Sequence, residues 1–336
     1  MKISVIGAGS FGTALAQLLS AKYKDVHLWV YEQEVYNMIL NERENKVYMP
    51  GYNLSSHIKP HLNIADALED AKYVFLAVPS HVFRSVLKSM APYISDDCII
   101  ISVAKGIENK TNFVMIEVVE DVLGRYRLDN VCVLSGPSFA KEVMDGKPTL
   151  VVVASKDIDK AEEVQNNFSS ERFRIYTSDD VMGVELGGAL KNVIAIAAGI
   201  CEGMKLGYNA MAALITRGLA EMTRLGVAMG ANPLTFKGLS GIGDLVLTCT
   251  GSLSRNRQVG IKLAEGFSIE LIQQEMKMVA EGVKTSYSVY ELSKKYEVEM
   301  PISREVYKII YEKKSPQTAL RELMERKLKF EREYIF

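Results

Sequence analysis

Gly7-Ala8-Gly9-Ser10-Phe11-Gly12 stands directly after the strand-like run Lys2–Ile6 and opens a stretch with helical periodicity. In that setting Gly7 permits a tight turn, Gly9 lets a pyrophosphate approach the backbone, and Gly12 lets helix and strand pack closely. The helix N-terminus then offers N–H groups and a partial positive charge to phosphates. Twenty residues beyond Gly12, Glu32 ends a second strand-like run. A carboxylate there accepts hydrogen bonds from adenosine ribose hydroxyls and repels a 2′-phosphate. Trp29–Val35 contains no Arg or Lys to neutralise that phosphate, which favours NAD(H) over NADP(H). The bland alternatives are a structural glycine turn and a solvated strand-end Glu.

The reacting groups point to the second half of the chain. Gly187–Gly203 reads GGALKNVIAIAAGICEG, with Lys191 its only cation and Asn192 beside it. A helix apolar all round is a buried one, so the amine should be desolvated and its pKa lowered towards neutrality, where it can give and take a proton. The alternative is a lysine snorkelling at a helix edge. Gly238–Gly251 holds Asp244 among apolar residues, where a carboxylate needs a partner. Its glycines suggest backbone packed closely against something. Ser254-Arg255-Asn256 forms a compact anion-recognition set, unless it is a surface turn. Lys105, and the loops Pro79-Ser80 and Ser135-Gly136-Pro137-Ser138, follow strand-like runs, where ligands of open α/β sheets bind.

These residues need two kinds of scaffold. Lys2–Ile6, Val26–Tyr31, Tyr73–Val78, Cys98–Val103, Val131–Leu134 and Leu150–Ala154 read as strands alternating with helices such as Phe11–Ala21. Several are apolar throughout, as in parallel strands covered on both faces, so residues 1–178 are expected to form a Rossmann-type, doubly wound, mostly parallel α/β sheet. Residues 179–336 read as an all-α domain, with helices at Val181–Cys201, Met211–Met229, Glu270–Met278, Tyr287–Tyr296, Arg304–Tyr311 and Thr318–Glu333. The polar stretch Thr177–Asp180 suits both a boundary and a helix N-cap. Along the last helix, Glu322 and Arg326 have i,i+4 spacing.

Composition narrows the class further. The 336 residues carry 40 Lys and Arg against 41 Asp and Glu, a balance that favours neither nucleic acid nor an anionic membrane. The longest strictly apolar run, Val193–Cys201, is about half what a bilayer span needs, so no stable membrane insertion is expected. Gly7 and Gly9 interrupt the apolar residues after Lys2, so neither is a signal peptide. Cys98, Cys132, Cys201 and Cys249 are scattered without a CxxC pair and read as buried thiols of a cytoplasmic protein. His27, His57, His61 and His81 make no metal set, so no metal is expected.

Taken in order, GAGSFGTALA, VAKGIE, SGPSFAKEV, VELGGALKNVIAIAAGI, ALITRGLAEM, GLSGIGDLVLTC, SRNR and VAEGVKT closely resemble the glycerol-3-phosphate dehydrogenases of the bacterial type, from about Lys2 to Ser286. The resemblance implies a Rossmann domain, a helical domain, a cytoplasmic homodimer and the interconversion of dihydroxyacetone phosphate with sn-glycerol 3-phosphate for glycerophospholipid synthesis. It implies coenzyme contacts from Ser10, Phe11, Lys105, Ala140, Arg255, Val279 and Glu281, beside Gly7, Gly9, Gly12, Tyr31 and Glu32. Around the phosphorylated substrate it implies Lys105, Gly136, Ser138, Lys191, Asn192, Asp244, Ser254, Arg255 and Asn256, with Lys191 carrying the proton and Lys105 and Asp244 assisting. Phe11 stands where many bacterial members have Trp, and Tyr31-Glu32 where many have an Arg suited to NADP. Two rival readings stay open here: a related β-hydroxyacid dehydrogenase, and a non-catalytic NADH-sensing protein.

Overall fold

The computed structural model describes residues 2–276 and 280–331. The chain forms two compact units, Met1–Ala104 with Met115–Val181, and Lys105–Val114 with Met182–Phe336. A single division after Ser178 therefore does not describe it, because ten residues following a central strand join the helical unit. Local bonds explain the excursion. Ile107 and Val114 form an antiparallel bridge, Asn192 Nδ2 donates to the Lys105 carbonyl at 3.1 Å, and Asn109 Nδ2 donates to the Lys284 carbonyl at 3.0 Å.

The first unit is built on one sheet of eight strands: β1 Ile3–Ile6, β2 Val26–Trp29, β3 Ile58–His61, β4 Tyr73–Leu76, β5 Ile99–Ser102, β6 Val131–Ser135, β7 Thr149–Ser155 and β8 Phe173–Ser178. Their order is β3-β2-β1-β4-β5-β6-β7-β8, parallel throughout except for the antiparallel β6–β7 pair. β1, β2, β4 and β5 are buried at every position, the outcome expected of strands covered on both faces. Two strands escape the hydrophobic pattern. β3 reads IKPH, and Pro60 is tolerated because β3 is the edge of the sheet. β8 alternates buried and exposed residues and runs to Ser178, so Thr177 and Ser178 finish a strand before the next helix starts at Val181. The strand order reverses between β1 and β4, and the glycine turn leaves the carboxyl end of β1 at that point.

The second unit is helical. Its centre is the helix Val181–Gly203, 23 residues long and apolar enough to cross a membrane, yet 94% of its most apolar window is buried inside the protein. Around it lie Gly207–Ala228, Asp244–Thr250, Arg255–Ala264, Ile269–Glu275, Glu281–Lys295, Pro301–Tyr311 and Pro316–Met324. Three sequence-level expectations are corrected here. The helix expected at Tyr287 already begins at Glu281, because Val283, Thr285 and Ser286 are buried and extend the inner face, which small hydroxyl residues conceal in the sequence. The last helix runs Pro316–Met324 and does not continue through residues 325–331, while the end expected at Glu333 lies outside the described residues. Glu322 pairs with Lys314 at 2.7 Å and Arg326 with Glu299 at 3.1 Å, so the expected Glu322–Arg326 pair does not form.

Backbone contact without side chains sets how closely these helices approach. A Cβ on Gly199 would lie 2.0 Å from the Arg257 carbonyl oxygen, and one on Gly260 would lie 2.0 Å from that of Ile196. The helix bearing Lys191 and the helix starting at Arg255 thus cross on glycine, at a separation any larger residue forbids. Gly199→Ala is expected to lower stability by about 2–3 kcal/mol, because rigid backbone must move to admit the methyl group. An unchanged urea midpoint would show that this crossing can open freely.

Candidate active site

In the first unit the turn Gly7–Gly12 has the shape its sequence suggests. Gly7 adopts φ 111°, and a Cβ there would sit 2.6 Å from the Ala77 carbonyl oxygen. A Cβ on Gly12 would lie only 1.9 Å from the Gly7 carbonyl. Gly9 differs, since a Cβ there would meet nothing within 4 Å. Two glycines therefore serve the turn itself, and the third keeps a space open in front of the backbone. Gly9 precedes the helix Ser10–Ser20, whose start has no side-chain cap and no acidic residue in its first turn. That is a surface suited to a dinucleotide pyrophosphate. Phe11 and Ala140 both lie against the sheet core, and the short helix Ala140–Met144 packs on the glycine-turn helix. Glu32 sits just beyond β2, half-buried, with its Oε1 accepting a 2.7 Å bond from the Tyr48 hydroxyl. Tyr31 beside it is exposed. Gly136 and Ser138 follow β6, where Ser138 Oγ donates to the Gly136 carbonyl at 2.9 Å.

In the second unit three charges meet. Asp244 is 1% exposed and accepts from Lys105 Nζ at 2.7 Å through one oxygen and from Lys191 Nζ through the other. Lys191 Nζ also donates to Thr248 Oγ1 at 2.9 Å. Burial would raise the Asp244 carboxyl, but the ammonium groups of Lys105 and Lys191 overcome it and hold it below its ordinary value. Burial pulls Lys191 the other way, down to about 7, with Lys105 adding to the fall and Asp244 resisting it. One carboxylate shared by two ammonium groups leaves an excess of positive charge, favourable to an oxygen that gains electrons. Asp244 begins its helix directly after the kinked segment Leu239–Gly243, in which Gly241 leaves helical geometry at φ −93° and ψ −106°.

An amide relay supports the cluster. Asn192 donates to the Lys105 carbonyl and accepts from Asn256 Nδ2 at 2.9 Å, while Asn256 Oδ1 accepts from the Gly282 N–H at 2.9 Å. Gly282 must be glycine here, since a Cβ would stand 2.5 Å from the Asn192 carbonyl oxygen. Ser254 caps the Arg255–Ala264 helix, accepting from Arg257 N at 3.3 Å. Arg255 is solvent-accessible although crowded by protein atoms, which lower its pKa, while Glu281 acts to keep it charged. Arg257, the other cation of that run, is bound to Glu202 at 2.6 Å.

The second unit thus brings together Lys105, Lys191, Asn192, Asp244 and Asn256, with Ser254 and Arg255 on the same helix start. Gly7, Gly9, Ser10, Phe11, Gly12, Tyr31, Glu32, Gly136, Ser138 and Ala140 belong to the first unit. Val279 lies outside the described residues. Thr248, a partner of Lys191, was missed, although its i+4 spacing from Asp244 was a usable sign. The Tyr48 contact to Glu32 had no sign in sequence spacing. The four cysteines are free and buried, and burial pushes the Cys249 thiol up to about 12, leaving it protonated.

A mostly parallel doubly wound sheet with a dinucleotide turn, coupled in one chain to a helical unit holding a desolvated lysine, defines a coenzyme-dependent dehydrogenase. Comparison with known proteins is more specific. Residues 2–161 match the family model described as NAD-dependent glycerol-3-phosphate dehydrogenase N-terminus, and residues 180–321 match its C-terminus. The chain belongs to this family. It is 51% identical over 331 residues to glycerol-3-phosphate dehydrogenase [NAD(P)+] of Syntrophobacter fumaroxidans, covering 98% of this chain and 97% of that protein. Identity to the Desulfotalea psychrophila enzyme of the same name is 52% over 330 residues, 97% of each chain. The crystal structure of the Coxiella burnetii glycerol-3-phosphate dehydrogenase superposes with a TM-score of 0.92 at 41% identity, covering 97% of this chain and 99% of that one. The two rival readings yield to a match that spans both halves.

The charge cluster has a measurable consequence. Asp244→Asn removes the buried carboxylate that Lys105 and Lys191 share, at an expected cost of about 3 kcal/mol at pH 6. The sign of its pH dependence follows from Lys191, whose pKa in the wild type is about 7. Below that value the wild type holds the proton comfortably and the variant does not; above it both carry a neutral amine. The deficit should therefore narrow as pH rises through 7. Urea titrations of both proteins at pH 6 and pH 9 decide it, and an equal deficit at the two would remove Asp244 as the stabiliser of the ammonium.

Proposed function

We propose that this chain interconverts dihydroxyacetone phosphate and sn-glycerol 3-phosphate, using NAD(H) or NADP(H), and supplies glycerol 3-phosphate for glycerophospholipid synthesis. The observation that carries the reading is the buried Lys191 ammonium, shared with Lys105 through Asp244. The turn Gly7–Gly12, with the open space at Gly9, would hold the pyrophosphate, and Glu32 the adenosine ribose. When bound, the nicotinamide supplies a hydride to, or accepts one from, C2 of the substrate.

The chain's own residues do the rest. In ketone reduction the carbonyl oxygen gains negative charge, and Lys191 Nζ gives it a proton that solvent later replaces. In alcohol oxidation Lys191, as neutral amine, takes that proton. Lys105 polarises the same carbonyl, while Asp244 holds both nitrogens in place and limits their repulsion. Arg255, at a helix N-terminus capped by Ser254, would grip the phosphate, so that binding energy from a non-reacting group positions the reacting carbon. The oxyanion meets protein cations, so the proposed chemistry draws on no metal. Glu32 and the absence of a nearby cation in Trp29–Val35 support NAD(H) as the preferred coenzyme. A cytoplasmic homodimer is part of the same proposal, on the strength of the family resemblance.

Lys191→Ala should lower kcat by about 10²–10⁴, the scale of general acid–base catalysis, with NADH binding little changed. In the wild type, reduction should slow as pH rises through about 7 and the ammonium loses its proton. Near-wild-type turnover of dihydroxyacetone phosphate by the variant, followed by NADH consumption, would take the proton-transfer role from Lys191. For the coenzyme, Tyr31→Arg with Glu32→Ser should raise NADPH use relative to NADH. Unchanged selectivity would sink the ribose assignment.

A further inference from the structure

The segment between the helix Gln33–Glu42 and β3 forms a strap over the glycine turn, and its chemistry reaches one point that neither the turn nor β2 controls. Arg43 ends the helix in a left-handed conformation at φ 55°, and Asn45 and Met49 close a small antiparallel bridge. Asn45 is wholly buried. Its Nδ2 donates to the Ala8 carbonyl and to Thr13 Oγ1, both at 2.8 Å, and its Oδ1 accepts from the Tyr48 N–H at 3.1 Å. The Tyr48 carbonyl in turn accepts from Ser10 Oγ at 3.0 Å. Tyr48 is therefore pinned at its backbone nitrogen and its carbonyl to the dinucleotide turn, and its hydroxyl donates to Glu32 Oε1 at 2.7 Å.

We propose that Tyr48 is a positioning residue for coenzyme selectivity, fixing the Glu32 carboxylate in the orientation that accepts a ribose 2′-hydroxyl and turns away a 2′-phosphate. The inference rests on the reading of Glu32 as the ribose acceptor and adds what makes that carboxylate effective. A glutamate at a strand end has free torsions and, left alone, swings into water, where it neither meets the ribose in a fixed place nor opposes an added phosphate. One bond from a rigid phenol removes that freedom and occupies one oxygen, leaving Oε2 for the ribose. Burial together with the Glu32 charge pushes the Tyr48 phenol up to about 12, so it remains a donor throughout the neutral range. The strap thereby ties pyrophosphate turn and ribose acceptor into a single unit, through Asn45 at one end and Tyr48 at the other.

The test is the dissociation constant of NADH and of NADPH, each read by coenzyme fluorescence titration, for the wild type, Tyr48→Phe, Glu32→Gln and the double variant. Tyr48→Phe keeps the ring and loses only the hydroxyl. It should weaken NADH about fivefold, the scale of one ordinary hydrogen bond felt indirectly through the carboxylate, and leave NADPH unchanged or tighter. Its kcat at saturating NADH should stay within about twofold of wild type, placing the effect on binding. In the double variant the NADH-to-NADPH preference should equal that of Glu32→Gln alone, since the phenol acts only through that carboxylate. Equal weakening of both coenzymes by Tyr48→Phe would reduce Tyr48 to a prop for the turn and overturn the proposal, as would independent, multiplying effects in the double variant. If Glu32→Gln itself leaves the preference unchanged, the ribose assignment falls and takes this inference with it. If Glu32→Gln shifts the preference and Tyr48→Phe does not, only the positioning role is lost.

Discussion

Two ammonium groups and one carboxylate, buried together, are the constraint on which the second unit depends. Asp244 alone in this place would gain a proton, and Lys191 alone would lose one. Together with Lys105 they form a set of two cations and one anion, and that charge balance is what suits the place to the proposed chemistry. The three do not share the burden equally. Lys105 keeps a fifth of its side chain accessible, whereas Lys191 is 7% and Asp244 1% exposed. Burial lowers the Lys191 pKa to about 7, and the helix that buries it thereby supports the proton-transfer role proposed for it.

Holding such a set requires backbone that approaches closely from several directions. Glycine supplies it: Gly199 and Gly260 where two helices cross, and Gly282 where the Asn192–Asn256 relay meets the next helix. Each removes a methyl group's worth of distance between elements carrying site residues. The amide relay then fixes the Lys105 segment by its own carbonyl, which explains why ten residues that follow a sheet strand are structurally part of the helical unit.

The coenzyme side follows a different logic. Its glycines divide the work, Gly7 and Gly12 satisfying the turn and Gly9 keeping space clear. The strap from Arg43 to Leu54 looks like an ordinary helix–strand connection, yet it supplies a buried Asn to the turn and a phenol to the Glu32 carboxylate just beyond β2.

Much of this was legible in the chain itself. The turn after β1, the acid at Glu32, the apolar helix around Lys191 and the Asp244 and Arg255 segments all carry local patterns, since each depends on neighbours in sequence. β3 and β8 lacked such patterns, because strands at the two edges of the sheet bury only a minority of their residues. The start of the Glu281–Lys295 helix was hidden for a related reason: its buried face is lined with serines and a threonine. What only the tertiary structure decided were partnerships at long sequence distance: Lys105 with Asp244 and Lys191, Asn192 with Asn256, and Tyr48 with Glu32. Sequence determines which groups are too polar or too apolar to stand alone, because desolvation is a property of the residue and its neighbours. It does not determine which distant group answers, because that choice is made by how closely the helices and loops can pack.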